Sequence, residues 1–255
     1  TDFHDTLYNT KAVVEGVMRH TNFLNWAFDF SIVSDRILML NMPEKEDEIF
    51  FGEGFLGGKV HLYGPSNNLT IDVVGSSEKG TSIKIPWADD YGLADTSFIE
   101  FINKNKKNKT QASGTEDSNK FSGLRMNFEL DVNENAEIKV VIDKESGSFL
   151  SGRGAGNILM EIDTNGKFNM FGDFITYEGI YNFKNLGVID KKFNLKPGGT
   201  IVWEGDPLGA QMDLEAVYNV PGGANPALLL DNPNFNRNIP TEVLIRLQGE
   251  LAQAR

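Results

Sequence analysis

Residues 156–174 read GNILMEIDTNGKFNMFGDF, and this stretch decides the fold class. Apolar residues occupy positions 158, 160 and 162, which is the two-residue period of a β-strand whose side chains alternate between two faces. Asn165-Gly166 follows, and this dipeptide supplies the positive φ angles of a tight hairpin turn before the apolar pattern resumes at Phe168. The stretch therefore predicts two neighbouring antiparallel strands.

The same alternation recurs along the chain and predicts an all-β protein with few or no helices. An antiparallel sheet can leave one face in water, so each run is expected to have a dry face and a wet face. The matching apolar runs are Trp26/Phe28/Phe30/Ile32, Leu69/Ile71/Val73, Ile83/Ile85/Trp87, Leu124/Met126/Phe128/Leu130/Val132, Ile138/Val140/Ile142 and Met212/Leu214/Ala216/Tyr218.

Short turn signals separate these runs, and we interpret them as hairpin turns. They are residues 64–68 (Gly-Pro-Ser-Asn-Asn), 131–135 (Asp-Val-Asn-Glu-Asn) and 196–199 (Lys-Pro-Gly-Gly). Residues 131–135 also open like a calcium loop, but Ala136 and Ile142 stand where that loop needs Gly and Glu. Two stretches, 13–18 and 243–251, have apolar residues at helical as well as strand spacing, and we favour strand for both.

Composition argues against several classes of function. Lys and Arg number 24 and Asp and Glu 36, for a net charge of -12, so phosphate backbones are repelled and we predict no nucleic-acid partner. The chain has no cysteine, and its three histidines are far apart in sequence. Gly152–Gly156 lacks the spacing of a dinucleotide-binding loop. We therefore predict no metal, no cofactor and no enzymatic activity.

Residues 103–120 form the one low-complexity segment, rich in Lys, Asn, Ser, Thr and Gly. With Ala112 as its only apolar residue, the segment cannot bury enough area to offset the entropy of ordering. We predict a flexible polar loop there. It would separate a first β-sheet segment, residues 1–102, from a second one, residues 121–255.

The second half carries a denser set of motifs than a generic sheet needs. GRGAGNILMEIDTNG (152–166), EGIYNF (178–183) and TIVWEGDP (200–207) together resemble the C-terminal conserved domain of the TamB family of bacterial envelope proteins. Residues 50–64 and 80–86 also fit that family's upstream repeats. The resemblance covers nearly the whole chain and is strongest over residues 143–220.

This resemblance implies a fold and a role. TamB-like proteins form a long curled, antiparallel-rich sheet, a β-taco whose open groove is lined with apolar side chains. They are anchored in the inner membrane of diderm bacteria and cross the periplasm. They act in phospholipid transport to the outer membrane and in outer-membrane protein assembly and protein secretion, with an Omp85-class (TamA-like) barrel partner. The chain would be a C-terminal piece, and we expect segment 121–255 to be truncated at its end.

On this reading phospholipid acyl chains would bind along the apolar faces, without catalysis. The predicted lining residues are Leu124, Met126, Phe128, Leu130, Ile158, Met160, Ile162, Phe168, Met170, Ile201, Trp203, Met212, Leu214, Ala216 and Tyr218.

Three alternatives stay open at this point. The same faces could close on each other as an ordinary sandwich or barrel core. The chain could be an assembly module that docks on a barrel by strand addition. It could also be a secreted carbohydrate-binding sandwich, in which Trp26, Trp87 and Trp203 would be exposed stacking platforms.

Overall fold

Three quarters of the described residues are β-strand and only 2% are helix, in a computed structural model that describes residues 1–44, 51–86, 123–143, 145–185, 188–227 and 236–251. This confirms the all-β prediction. The strands are β1 (Asp2–Asp5), β2 (Thr10–Thr21), β3 (Asn25–Met42), β4 (Phe51–Pro65), β5 (Asn68–Ser77), β6 (Ser82–Pro86), β7 (Gly123–Val132), β8 (Glu137–Asp143), β9 (Ser148–Asp163), β10 (Phe168–Asn185), β11 (Ile189–Leu195), β12 (Thr200–Gly205), β13 (Gln211–Asn219) and β14 (Glu242–Glu250), with one turn of 3-10 helix at Pro207–Gly209.

All fourteen strands belong to one sheet. From β1 to β5, β8 to β11 and β12 to β14, strands that are neighbours in space also follow one another along the chain, whereas β6 and β7 do not follow this order. Both stretches with ambiguous periodicity are strands: β2 covers residues 13–18, and β14 pairs with β13 over nine residues. The hairpin predicted at Asn165-Gly166 joins β9 to β10, and Gly166 adopts φ 90° in its turn. The predicted turn at residues 64–68 joins β4 to β5.

The sheet is antiparallel except at two pairings, which the alternation did not predict. β5 runs parallel to β7 and β6 runs parallel to β8. Parallel neighbours need a longer connection than a hairpin because the chain must return to the same end of the sheet. The connecting residues 87–122, including the predicted loop at 103–120, lie outside the described residues.

Six strands pair in a closed ring, in the order β4–β5–β7–β9–β8–β6. The residue pairings show how these strands share positions in the sheet. Along β4, Leu56 faces Ser77 of β5 and Glu53 faces Ser82 of β6, so the partner uses two more residues than β4 over this stretch. β5 and β6 therefore occupy one place in the sheet, beside β4, which we call a shared strand position. The residues between them, 78–81, leave the sheet and return to it, and we call such a segment an excursion. Thr81 closes that excursion, since its Oγ1 donates to the Phe55 carbonyl (2.9 Å) and accepts the Phe55 N–H (3.0 Å).

The same construction corrects the hairpin predicted at residues 131–135. β7 and β8 do not pair with each other; both pair with β9, where Val132 faces Gly156 and Ile138 faces Gly152. Asn133 fixes the excursion between them, since its side-chain amide donates to the Ser77 carbonyl at 2.8 Å. The turn residues mark where the chain leaves the strand, but the chain re-enters the sheet in its original direction.

The hairpin predicted at residues 196–199 is wrong for the same reason. β11 and β12 both pair with β10 on one side and β13 on the other, so they share one strand position. The excursion folds back on β10, where the Gly198 N–H donates to the Thr176 carbonyl and the Thr176 N–H donates to the Gly199 carbonyl, both at 2.8 Å. A side chain at Gly199 would collide with Leu214, because an added Cβ would lie 2.6 Å from its Cδ2.

A buried hydrophobic cluster lies on one face of strands β8 to β13, with Ala210 just before β13 and Leu251 just after β14. Its buried members are Val140, Leu150, Phe174, Phe193, Leu195, Ile201, Ala210, Met212, Leu214, Ala216 and Leu251. Each of these strands presents alternate residues to the face, so the cluster follows directly from the two-residue period of the sequence.

Candidate functional site: the apolar face of the sheet

Strand registers place the apolar runs of neighbouring strands on a single face. Met160 of β9 lies opposite Phe128 of β7 on one side and Met170 of β10 on the other. Residues that face each other across a ladder project from the same side of the sheet. The pairing continues the apolar face from strand to strand, and we call this side of the sheet the apolar face.

The fifteen residues predicted to line the groove all lie on the apolar face. On β10, Phe174 pairs with Ile201 and Gly172 pairs with Trp203, which extends the face to β12. Ile201 in turn pairs with Met212 of β13. The placement by strand is Leu124, Met126, Phe128 and Leu130 on β7; Ile158, Met160 and Ile162 on β9; Phe168 and Met170 on β10; Ile201 and Trp203 on β12; and Met212, Leu214, Ala216 and Tyr218 on β13. That they line a lipid groove stays a prediction.

The apolar face also extends upstream of the predicted set. Val73 of β5 faces Phe128, Val60 of β4 faces Val73, and Ile32 of β3 faces Val60. The same alternation in Trp26–Ile32 and Leu69–Val73 was visible in the sequence and was the signal for these residues. What the sequence could not supply was their register, which joins the two halves across the parallel β5–β7 pair.

Burial changes along the apolar face. Leu214 and Ala216 of β13 are 1% and 0% exposed, so the β11–β14 region is a packed core. The β7 members and the turn-proximal members of β9 and β10, among them Met160 and Met170, are only half-buried. The half-buried part could therefore still contact a ligand, whereas the packed part could do so only by rearranging.

Charged and amide side chains dominate the opposite, polar face. Asn127 donates to Asp72 at 2.7 Å, and Gln248 donates to Asp213 at 2.8 Å. A hydrogen bond from Lys196 is the main cause that lowers the pKa of the Glu215 carboxyl, and Arg246 adds to the effect at 2.8 Å. The basic partners of Glu215 therefore favour its ionised form on this face.

The tryptophans are placed where they do not form a shared platform on the polar face. Trp203 lies on the apolar face against the core, with its Nε1 donating to the Pro207 carbonyl at 3.2 Å. Trp26 is half-buried near the β2–β3 turn, and its Nε1 donates to the Phe23 carbonyl at 3.2 Å. Trp87 lies outside the described residues.

Within the described part of the chain, no three His, Cys, Asp or Glu side chains are close enough to hold a metal ion together. No helix in that same part is both long and apolar enough to span a bilayer.

Comparison with known families identifies the chain. The sequence model of the TamB C-terminal domain matches residues 1–254. The chain belongs to the TamB C-terminal domain family. This confirms the resemblance drawn from the motifs at 152–207, including its extent over nearly the whole chain.

Membership of the TamB family establishes a role in coarse terms. The chain is a TamB-like protein of the bacterial envelope, and the family is a non-enzymatic module of assembly and transport. TamB proteins work, in general terms, with an outer-membrane partner. No curated protein matches this TamB-family chain.

Proposed function

We propose that the apolar face binds phospholipid acyl chains and passes them towards the outer membrane. The observation that carries the proposal is a single apolar face shared by all neighbouring strands from β3 to β14, half-buried over β7 and the adjoining parts of β9 and β10. Burying apolar area is worth about 25 cal/mol per Å², or about 0.8 kcal/mol per methylene, so an alkyl chain gains free energy by lying on such a face.

The residue types of the half-buried part suit a mobile ligand. Met126, Met160 and Met170 are unbranched and polarisable, and such side chains adapt to irregular apolar partners. Phe128 lies among them opposite Met160. A wall of this kind holds alkyl chains by contact area rather than by fixed geometry, as transfer along a sheet requires.

The pairing within the six-strand ring is compatible with an open groove. Its strands occupy four positions that lie side by side, because β5 and β6 both pair with β4, and β7 and β8 both pair with β9. A sheet that curls without closing would leave a slot through which headgroups can stay in water.

The cellular setting follows from the family and is part of the proposal. We place the chain in the periplasm of a diderm bacterium, within a full-length protein anchored in the inner membrane. Its partner would be an Omp85-class barrel, through which the protein also supports outer-membrane protein assembly and protein secretion.

A second candidate is an assembly module that docks on the barrel by strand addition without carrying lipid. The observation favouring it is β14, whose outer edge carries no strand among the described residues and whose apolar residues Val243 and Leu244 are 42% and 48% exposed. The carbohydrate-binding alternative loses support, because Trp203 packs on the apolar face instead of standing exposed as a platform.

The test inserts a charge on the apolar face where it is half-buried. Met160→Glu should keep the chain folded, because the carboxylate reaches water along the slot, but it should remove phospholipid that co-purifies with the wild type. The matched control is Ile175→Glu, since Ile175 is 40% exposed on the polar face of the adjoining strand and faces Thr200 and Ala155. Bound lipid is measured by mass spectrometry after gentle detergent extraction, alongside the melting temperature.

Two results would contradict the lipid proposal. Unfolding of Met160→Glu with an intact Ile175→Glu control would show a closed core, since an unpaired buried charge costs several kcal/mol. A folded wild type that carries no phospholipid would favour the assembly module. Met212→Glu serves as the reference for a closed site, because Met212 is 6% exposed and its variant should unfold.

A further inference from the structure

The turn between β2 and β3 exposes large apolar side chains at one end of the sheet. Phe23 is 73% exposed and Leu24 79% exposed, and Met18 on the adjoining strand is 54% exposed. We call Met18, His20, Phe23, Leu24 and Trp26 the hairpin-tip cluster. Along β2, β1 pairs with residues 10–13, and the Val14 N–H donates to the Thr1 carbonyl at 2.9 Å.

The backbone conformation at Phe23 disfavours a bulky side chain. The Leu24 N–H donates to the Thr21 carbonyl at 3.1 Å, and both central residues have positive φ, Asn22 at 52° and Phe23 at 57°. Asn tolerates that region, but a bulky side chain with positive φ is strained, and Gly is the usual choice. Neither the turn geometry nor burial explains a phenylalanine here.

Ring contacts hold the exposed phenylalanine in a fixed position. His20 stacks on Phe23 with ring centroids 4.2 Å apart and lies 4.7 Å from Trp26. The His20 Nδ1 accepts the Phe23 N–H at 3.3 Å, and the Trp26 Nε1 donates to the Phe23 carbonyl. The rings of His20 and Trp26 therefore pack against Phe23 and hydrogen-bond to its backbone. The exposed end of the turn is apolar, and the rings behind it carry polar nitrogen atoms.

The charge of the tip differs from that of the rest of the chain. Residues 16–28 contain no Asp or Glu and include Arg19 and His20, although the chain as a whole has a net charge of -12. A surface without carboxylates can approach lipid phosphates where the acidic remainder cannot.

The size of the tip favours a lipid layer over a protein partner. A fully buried aromatic side chain covers about 150–250 Å². One phenylalanine and one leucine at a turn thus fall well below the roughly 800 Å² per partner of a stable protein interface. Exposed apolar side chains close to a Trp and a basic residue are the combination that settles at the boundary between headgroups and acyl chains.

We propose that the β2–β3 hairpin tip inserts Phe23 and Leu24 into the interfacial layer of a phospholipid bilayer. The tip lies at the same end of the strands as the β4–β5 and β9–β10 turns, so insertion brings that end of the sheet to the membrane. This inference goes beyond the proposed lipid transport and does not require an acyl chain on the apolar face.

Flotation with vesicles of phosphatidylcholine and phosphatidylethanolamine tests the proposal on the whole 255-residue chain. The wild type should float with the vesicles, and Phe23→Ser combined with Leu24→Ser should reduce the bound fraction by about tenfold or more, given the apolar area removed. Brominated acyl chains should quench part of the tryptophan emission in the wild type, and Trp26→Phe should remove that quenched part.

Phe23→Gly separates a membrane role from a structural one. Glycine relieves the positive φ, so the melting temperature should hold or rise while vesicle binding falls. The matched control is Leu7→Ser combined with Val188→Ser, which removes side chains that are 80% and 87% exposed at the opposite end of the strands. This control should float as the wild type does.

Three results would overturn the proposal. They are a wild type that stays with the soluble fraction, a control that loses binding as fully as the tip variant, and a dimer in solution that only the tip variant abolishes without any vesicle binding. The outcome is independent of the lipid-transport test, since Met160→Glu should still float and the tip variants should still co-purify with lipid.

Discussion

Leu214 shows how a single residue ties the packed part of the sheet together. Its side chain is 1% exposed, and its Cδ2 occupies the space above Gly199, where any side chain would collide with it. The glycine thus makes room for the leucine across two neighbouring strand positions. The excursion at residues 196–199 consequently packs against the core and is not an exposed surface loop.

We predict a large loss of stability when Leu214 is truncated. Leu214→Ala removes buried methyl groups and leaves a cavity, which costs about 2–5 kcal/mol in well-packed cores. Leu159→Ala is the control, because Leu159 is 48% exposed on the polar face and should cost well under 1 kcal/mol. Urea denaturation of both variants measures the difference, and equal losses would show that Leu214 is not a core residue.

At the scale of the strand, the number of residues in an excursion determines which face the following strand presents. From Leu195 to Thr200 the chain uses two residues more than β13 does between Ala216 and Asp213. Deleting Pro197 and Gly198 together should preserve which face each β12 residue occupies. Deleting Pro197 alone should move Ile201 and Trp203 to the polar face, because a shift of one residue inverts every side chain.

The measurement for these deletions is the melting temperature with the near-ultraviolet circular dichroism of the tryptophans. We expect the two-residue deletion to fold with a reduced melting temperature, since it loses the hydrogen bonds to Thr176. The one-residue deletion should lose its cooperative transition. If both deletions behaved alike, β11 and β12 would not share a strand position.

The strands were predictable from the sequence because their evidence is local. The alternation over residues 124–132 predicts β7. The periodicity of residues 243–251 was ambiguous, and pairing with β13 makes residues 242–250 a strand. The pairing partners of each strand could not be predicted as well from the sequence. Residues 131–135 and 196–199 carry ordinary turn chemistry, which shows where a strand pauses but not whether the chain then reverses.

The face of the candidate site was predictable for a related reason. Residues two apart share a face in any register that pairs them, so all the predicted lining residues fell on one side of the sheet. Their burial was not predictable, because Met160 and Met212 look alike in sequence. Met212 lies in the packed region near Leu214 and Met160 lies opposite Phe128 and Met170, and only the pairing reveals the difference.

For the whole molecule, we expect stability to be uneven across the sheet. Amide hydrogen exchange should be slowest in β9 and β10, which are paired along both edges and border the buried cluster. It should be fastest at residues 15–21 of β2 and in β14. Mass spectrometry of deuterium uptake measures the pattern, and uniform protection from β2 to β14 would contradict it.

The sequential order of the strands has a consequence for how such a protein comes into being. A chain that emerges from an export channel in order presents most new strands beside the strand position just completed, so the sheet can grow at a single advancing edge. The step from β5 to β7 is the exception, because the new strand must travel back before it can pair. In evolution, such a protein can be lengthened by adding two antiparallel strands at the advancing edge. Two strands are added together because the second brings the chain back to the end of the sheet where the first began.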